Sequence, residues 1–320
     1  MLDELRLEID RVILPLLEGR RAVAIFDFPN YANVGDSAIW LGQRAFLRAH
    51  GFHVCHVDDC YLGGRGYPEL PEDAAILING GGNFGDLYIH HQKLRESLIL
   101  QYPRNRIIQL PQSIHFQSEV EENRCANFLK KHGDFHLIVR DKLSFEIAER
   151  IHAGPVYLCP DMALYLGRLR RPVEPQFRVV GLLRKDREQI YEHAEAATRD
   201  LFCDWLVERR AIGWFVGLNL RADRKVFGRR SLLPRKLVLD WAARARLKRG
   251  CRLLSSGRAV VTDRLHAHIL CTLMDIPHVV LDNSYGKIRN FRAAWNTGES
   301  GLCKAATSFD DALALAKQTL

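Results

Sequence analysis

Short apolar runs separated by amphipathic stretches set the rhythm of the first half of this chain. Ala22 to Phe26, Ala74 to Ile78, Arg106 to Leu110, Phe135 to Val139 and Val156 to Leu158 are of strand length and hardly alternate with polar residues. Between them the spacing predicts helices, among them about Ser37 to His50 and Leu143 to Ile151. Apolar runs without alternation, separated by helices, belong to a parallel sheet covered on both faces. The second half repeats the style. Phe177 to Leu182, Trp214 to Val216, Ala259 to Val261 and His278 to Leu281 read as strands. Helices are predicted over about Asp186 to Arg209, Arg264 to Met274 and Phe309 to Leu320, the last capped by Ser308 with Asp311 three residues on. The Pro-rich segment Arg170-Arg171-Pro172-Val173-Glu174-Pro175 separates the halves. At 320 residues the chain is too long for most single cores. The expected organisation is α/β, with two Rossmann-like domains at residues 1–170 and 176–320. The last helix is a candidate for packing back on the first domain.

Nearly every strand of the first half runs into a polar or Gly-rich cluster. These are Asn33-Val34-Gly35-Asp36, Asn79-Gly80-Gly81-Gly82-Asn83, Pro111-Gln112-Ser113-Ile114-His115, Arg140-Asp141-Lys142-Leu143-Ser144 and Pro160-Asp161. Ligands of open α/β sheets bind at the carboxyl ends of strands, so five clusters on one edge point to a site. Turn-forming glycines and helix-capping Asp or Ser account for some members without any ligand, Asp36 and Asp141 foremost. Three adjacent glycines indicate that a ligand or another backbone comes very close.

Val261-Thr262-Asp263-Arg264-Leu265-His266-Ala267-His268 reads as strand, tight turn and helix start, with Thr262 or Asp263 as the N-cap. Arg264 and His266 then fall in a first helical turn whose amides lack partners, a site for a phosphate or carboxylate. The competing reading is a capped helix with a surface arginine and a packed histidine. His268 lies about 200° round the helix from His266 and is expected to face elsewhere.

Composition narrows the class. Hydrophobic residues make up 47% and charged ones 26%, an ordinary globular balance. No apolar run is long enough to span a bilayer, and Met1-Leu2-Asp3-Glu4-Leu5 lacks the basic start of a secretory signal, so a soluble, cytoplasmic protein is expected. The eight cysteines form no CxxC pair and are expected to be reduced and packed; His53, Cys55, His56 and Cys60 fit no common zinc spacing. Net charge is +8, much of it between Arg221 and Arg258. That excess suits an acidic substrate or an anionic membrane face, or is simply a solvated surface. Nucleic acid is not an expected partner, because no nucleic-acid fold signature or aromatic interleaving accompanies the charge. The Gly run is neither a P-loop nor GxGxxG, and G-x-S-x-G and H-E-x-x-H do not occur, which weakens NTPase, dehydrogenase, hydrolase and metalloprotease readings.

Taken in order, Asn33-Val34-Gly35-Asp36, Gly80-Gly81-Gly82-Asn83, Arg140-Asp141 with Ser144, Pro160-Asp161, Thr262-Asp263-Arg264-Leu265-His266 and Gly286-Lys287 resemble the polysaccharide pyruvyl transferases, over about residues 24 to 295. The resemblance implies a fold like the two-domain GT-B glycosyltransferases, with an interdomain cleft. It also implies transfer of the pyruvyl group of phosphoenolpyruvate onto two hydroxyls of a sugar, forming a ketal. The sugar would belong to an exopolysaccharide or cell-surface glycan, or to its lipid-linked precursor. Such a donor carries a carboxylate and a phosphate, and Arg140, Arg264 and Lys287 supply cations for it from three segments. His266 is the expected general acid and Asp36 the acceptor base, with Asp161 second. Asn33, Gly81, Gly82, Asn83, Gln112, His115 and Asp161 are the expected acceptor contacts. No cofactor or metal is expected, since the donor brings its own leaving group. The basic region would dock on an anionic inner membrane face carrying the lipid-linked acceptor. Two other functions fit the same features: a GT-B glycosyltransferase using a nucleotide sugar, and a non-catalytic glycan- or anion-binding assembly protein.

Overall fold

A computed structural model describes residues 1–60, 67–184, 200–206, 212–218, 234–282, 286–297 and 301–318. The first half comprises α1 (Leu2–Leu16), β1 (Ala22–Phe28), α2 (Val34–Ala49), β2 (His53–Asp59), β3 (Ala75–Ile78), β4 (Gly81–Gly85), α3 (Ile89–Gln101), β5 (Ile107–His115), α4 (Glu119–Leu129), β6 (Phe135–Val139), α5 (Lys142–Ile151) and β7 (Val156–Leu158), followed by a 3₁₀ turn at Met162–Leu166. The second half comprises β8 (Phe177–Leu182), β9 (Asp200–Cys203), α6 (Arg235–Ser255), β10 (Gly257–Thr262), α7 (Leu265–Leu273), β11 (His278–Val280), α8 (Lys287–Trp295), β12 (Cys303–Ala305) and α9 (Phe309–Gln318).

The strands form two wholly parallel sheets. One is ordered β2-β1-β3-β5-β6-β7, with β4 also paired to β5; the other is ordered β9-β8-β10-β11-β12. All seven residues of β1 are buried, as a strand covered on both faces requires. Both orders place the first strand of the half beside the second and third, so each sheet has one point where the chain reverses its direction of travel across the sheet. Ligands bind at the carboxyl ends of strands beside such a point.

Several predicted elements differ. Trp214 to Val216 lies in a helical stretch, residues 212–218, not a strand. A three-residue apolar run carries too little periodicity to separate the two. Within the predicted helix from Asp186 to Arg209, Asp200–Cys203 is instead the edge strand β9, paired to β8; residues 185–199 and 207–211 lie outside the described residues. α9 packs on β8, β10 and β11, through Phe309, Ala312 and Ala316, rather than on the first half.

α2 and α6 join the halves. A β-carbon at Gly250 would overlap Val34, so the two backbones can close only over glycine. Asp240 of α6 accepts from the buried Trp40 Nε1 at 2.8 Å and from Arg44 Nε at 3.2 Å, both on α2. Arg246, 1% exposed, donates to the Pro29 carbonyl at 2.9 Å, and Arg249 donates to the carbonyls of Ala32 and Trp205. Arg235 pairs with Asp58 at 3.0 Å. These arginines, which the sequence offered as part of a basic ligand or membrane face, bind the halves together. Residues 221–233 of that run lie outside the described residues.

Candidate active site

A cavity of about 470 Å³ opens where the carboxyl ends of both sheets meet. The loop after β1 and the first turn of α2 supply Tyr31, Asn33 and Asp36, and β4 supplies Gly82 and Asn83. From the second sheet come Arg184 after β8, Trp205 and Leu206 after β9, and Arg264, Leu265 and His266 after β10. Arg140 follows β6, and Lys287 opens α8. The volume falls in the range of small-molecule pockets and exceeds what a three-carbon donor needs.

Caps build the rim. Asn33 caps α2 by accepting from Gly35 N at 3.0 Å, Asp141 caps α5 by accepting from Ser144 N at 2.8 Å, and Asp161 caps the 3₁₀ turn by accepting from Ala163 N at 2.8 Å. Arg264, not Thr262 or Asp263, is the N-cap of α7, and Thr262 Oγ1 accepts from Arg264 N at 3.1 Å. His266 is therefore the second residue of α7. A β-carbon at Gly35 would overlap its imidazole, so the α2 start and the α7 start meet there without an intervening side chain.

Beneath the imidazole lies a buried charged cluster. Arg140, 2% exposed, donates from Nε to Ser113 Oγ at 2.9 Å and from Nη1 to Asp161 Oδ2 at 2.6 Å. Ser113 Oγ donates in turn to Asp141 at 2.6 Å, and Trp295 of α8 donates to the Arg140 carbonyl at 2.8 Å. His266 Nε2 is 3.4 Å from Arg140 Nη1 and 3.4 Å from Asp161 Oδ2. Burial pushes the Asp161 carboxyl up, but His266, Arg140 and the Ala163 amide outweigh it and hold the group well below the usual carboxylate range. Asp161 is an anion fixed under the imidazole.

Cations converge above this cluster. Arg140 Nη2 and Lys287 Nζ lie 3.2 Å and 3.6 Å from the point where a Gly82 β-carbon would stand, so the Gly run is small at this position to admit them. Gly286 stands before Lys287 at φ 66°, a left-handed conformation suited to glycine. Arg264 pairs through Nη2 with Asp204 at 2.6 Å while lining the cavity. Asp263 turns the other way and accepts from Arg184 N at 2.9 Å, placing Arg184 at the cavity; burial raises Asp263 to about 6.

Of the residues expected from sequence, Asn33, Asp36, Gly82, Asn83, Arg140, Arg264, His266 and Lys287 line the cavity together. Three do not. Gly81 stands behind Asp36 at φ 133°, and His115 ends β5 against the Gly85 backbone. Asp161 is wholly buried with both oxygens engaged, so it supports the floor rather than touching an acceptor. Asn83 reaches the cavity, but its amide is spent inside the protein: Nδ2 donates to Asp27 and Oδ1 accepts from Gln112. Gln112 itself is fully buried. The asparagine most available to Asp36 is Asn33, whose Nδ2 donates to it at 2.8 Å. Sequence reasoning missed Tyr31, Tyr88, His91, Arg184, Asp204, Trp205 and Leu206. None stands in a recognisable motif.

All eight cysteines are free thiols. His268 is buried and hydrogen-bonded to His278 at 2.8 Å and Thr297 at 2.9 Å, facing away from the cavity as its helical spacing predicts. His53, Cys55, His56 and Cys60 do not gather their ligand atoms among the described residues.

Two doubly wound sheets meet at a cationic cleft, with an imidazole over a buried carboxylate at its floor. The chain belongs to the polysaccharide pyruvyl transferase family, whose model matches residues 33–285. It is 32% identical over 300 residues to EpsO of Bacillus subtilis, covering 89% of each chain. It is 31% identical over 322 residues to Pyruvyl transferase 1 of Schizosaccharomyces pombe, covering 93% of this chain and 76% of that one. A crystal structure of an uncharacterised Klebsiella pneumoniae protein shares the fold with a TM-score of 0.63 at 17% identity, over 95% of this chain and 99% of the other.

Proposed function

We propose that the chain transfers the pyruvyl group of phosphoenolpyruvate onto two hydroxyls of one sugar of a glycan, leaving a pyruvate ketal and phosphate. The observation that carries this reading is the meeting of Arg140, Lys287 and His266 at the glycine-lined floor of one cavity. The name of the fission-yeast relative supports the group transferred.

Arg140, Arg264, Arg184 and Lys287 hold the carboxylate and phosphate, charge-assisted contacts that strengthen in a cleft screened from water. His266 acts as the general acid and gives a proton to the methylene carbon of the donor. The adjacent carbon becomes cationic, and a sugar hydroxyl attacks it as Asp36 accepts the hydroxyl proton. Phosphate leaves with the electron pair of its C–O bond, and the second hydroxyl closes the ring. Tyr31, Tyr88, Trp205 and Leu206 give the remaining cavity an apolar and aromatic wall suited to a sugar ring. The two sheets divide the labour in the GT-B manner, with acceptor contacts on the first and donor contacts chiefly on the second. Lys236, Arg244, Lys248 and Arg252, exposed on α6, and Arg258 on β10 are described cations available to meet an anionic membrane face that presents a lipid-linked acceptor.

The test is phosphate release from phosphoenolpyruvate with and without a glycoside bearing a free diol. Acceptor-dependent release supports the reading. Release of a nucleoside diphosphate from a sugar nucleotide, with phosphoenolpyruvate untouched, assigns the cleft to glycosyl transfer instead.

A further inference from the structure

β1 carries one charge in an otherwise apolar sequence, Asp27, and it sits in a conformation that strands avoid. Its φ is 70°, and it is 2% exposed. A non-glycine residue in this region is strained and persists only where its surroundings fix it. Here they do. His91 Nδ1 lies 2.6 Å from Asp27 Oδ1, and Asn83 Nδ2 donates to Oδ2 at 3.2 Å. Arg95, 1% exposed, holds Asn83 in turn by donating to its carbonyl at 3.2 Å, and donates to Gln109 at 2.7 Å. Burial pushes the Asp27 carboxyl up, yet His91, Arg95 and Asn83 outweigh it and keep the group below its ordinary value.

An ionised carboxylate only accepts hydrogen bonds, so the proton of this pair belongs to His91 Nδ1. A ring held this way with a single proton bears its lone pair on Nε2. His91 lines the cavity, and among the described residues Nε2 has no hydrogen-bond partner. The Tyr31 and Tyr88 rings stand edge-on to the imidazole at 6.2 Å and 6.4 Å, forming a slot around it. Tyr31 and Asp36 line the same cavity as His91, so both candidate proton acceptors face one space. A buried carboxylate that fixes the tautomer and direction of an imidazole is the arrangement that makes histidine a general base in hydrolytic triads.

We infer that His91 is a second catalytic base, which accepts the proton of one of the two sugar hydroxyls, and that Asp27 is its positioning residue. This rests on the pyruvyl-transfer reading. Ketal formation consumes two O–H bonds, whereas Asp36 and His266 alone account for one hydroxyl and one carbon protonation. The balance closes with His91. The methylene carbon gains a proton from His266. One hydroxyl oxygen bonds to the central carbon and gives its proton to Asp36. The carbon–phosphate oxygen bond breaks, its electron pair leaving with phosphate. The second hydroxyl oxygen bonds to the same carbon and gives its proton to His91 Nε2. In sum two hydroxyl protons leave the sugar; one restores the proton spent on the new methyl group and the other ends on hydrogen phosphate. Cys60 lies within 4.8 Å of the Asp27 and His91 ligand atoms, but burial, with Asp27 and Asp59 beside it, raises its thiol well above the ordinary value. It is a neutral neighbour rather than a thiolate.

The experiment uses the full chain with phosphoenolpyruvate and, as acceptors, methyl β-glucoside and methyl β-galactoside. The groups around the imidazole are Asp27 from β1, Tyr31 and Cys60 from the loops after β1 and β2, and Tyr88 and Arg95 at the start of and within α3. His91→Ala and His91→Gln are expected to lower kcat by roughly 10² to 10⁴. The melting shift produced by phosphoenolpyruvate stays as in wild type, the acid limb of the kcat/KM profile is lost, and added imidazole restores part of the rate to His91→Ala. Asp27→Asn keeps the left-handed backbone, which asparagine tolerates, and moves the acid limb to lower pH while reducing kcat. Histidine ring ¹⁵N spectra, assigned by difference with His91→Gln, should show Nδ1 protonated and Nε2 bare at neutral pH. Wild-type kcat and an intact acid limb in His91→Ala overturn the inference alone. So does an Nε2-protonated ring, or an activity that a chelator abolishes and zinc restores. A wild-type protein that neither binds nor consumes phosphoenolpyruvate overturns the reaction itself, and the role of His91 with it.

Discussion

Residue 35 sets the position of His266 by what it lacks. With the imidazole in contact with the Gly35 backbone, even a methyl group would displace the ring from Arg140 and Asp161. Gly35→Ala is expected to reduce turnover nearly as far as His266→Ala, itself roughly 10²- to 10⁴-fold. Matched thermal melts check that the loss is positional. Asp161 acts on both folding and chemistry. Its folded value is depressed, so the stability it contributes is present above the unfolded carboxylate range and lost as pH falls through that range and below. Asp161→Asn leaves Arg140 buried without its anion, which should cost about 3–5 kcal/mol in urea unfolding at pH 7 and flatten the acid dependence. Sequence position assigned Asp161 to the acceptor because it follows a strand. Only burial reveals that it underlies the imidazole. Asp27 did leave a trace, a charge beside an apolar run, but nothing in the sequence joins it to His91, 64 positions on.

At the scale of elements, the cleft exists because α2 and α6 fix the two sheets against one another. Asp240 is the pivot, with Trp40 and Arg44 both donating to it. Asp240→Ala strands a buried guanidinium and is expected to cost about 3–5 kcal/mol, read by denaturant unfolding, whereas Asp240→Asn, which retains an acceptor for Trp40, costs less. The contact between α7 and β11 brings its own pH dependence. Burial, with Arg292, lowers His278 to about 4, and burial, with His278 and Arg292, lowers His268 well below its ordinary value. Both rings are neutral when folded, while the unfolded chain binds protons below about pH 6.5. Stability is therefore fully present above pH 6.5 and falls as pH drops toward 4, by up to about 3 kcal/mol for His278. Urea midpoints at pH 7.5 and 5 check this, and His278→Gln should narrow the difference. Parallel strands and their covering helices were legible in apolar runs such as Ala22 to Phe26. α6 was not, because its arginines read as a charged surface when several are anchors, and anchors differ from solvated charges only in what stands opposite them.

For the whole molecule, the proposed donor site draws on both sheets. A ligand carrying a carboxylate and a phosphate, held as proposed by Arg140 from one sheet and by Arg264 and Arg184 from the other, would stabilise both halves. At a hundredfold excess over Kd the gain is about 2.7 kcal/mol, seen as a higher Tm with phosphoenolpyruvate and a smaller rise in Lys287→Ala. None of the described helices is long and apolar enough to cross a membrane. The proposed contact with a lipid-linked acceptor rests on exposed groups such as Arg244 and Lys248, so co-sedimentation with anionic vesicles should weaken with salt. The most direct measurement is phosphate release from phosphoenolpyruvate by wild type and His266→Ala in the presence of a diol-bearing glycoside, with the product examined by mass spectrometry. The account predicts acceptor-dependent phosphate release and a ketal-bearing glycoside from wild type, both nearly lost in His266→Ala. Equal turnover by the two proteins, or an unmodified glycoside, would contradict it.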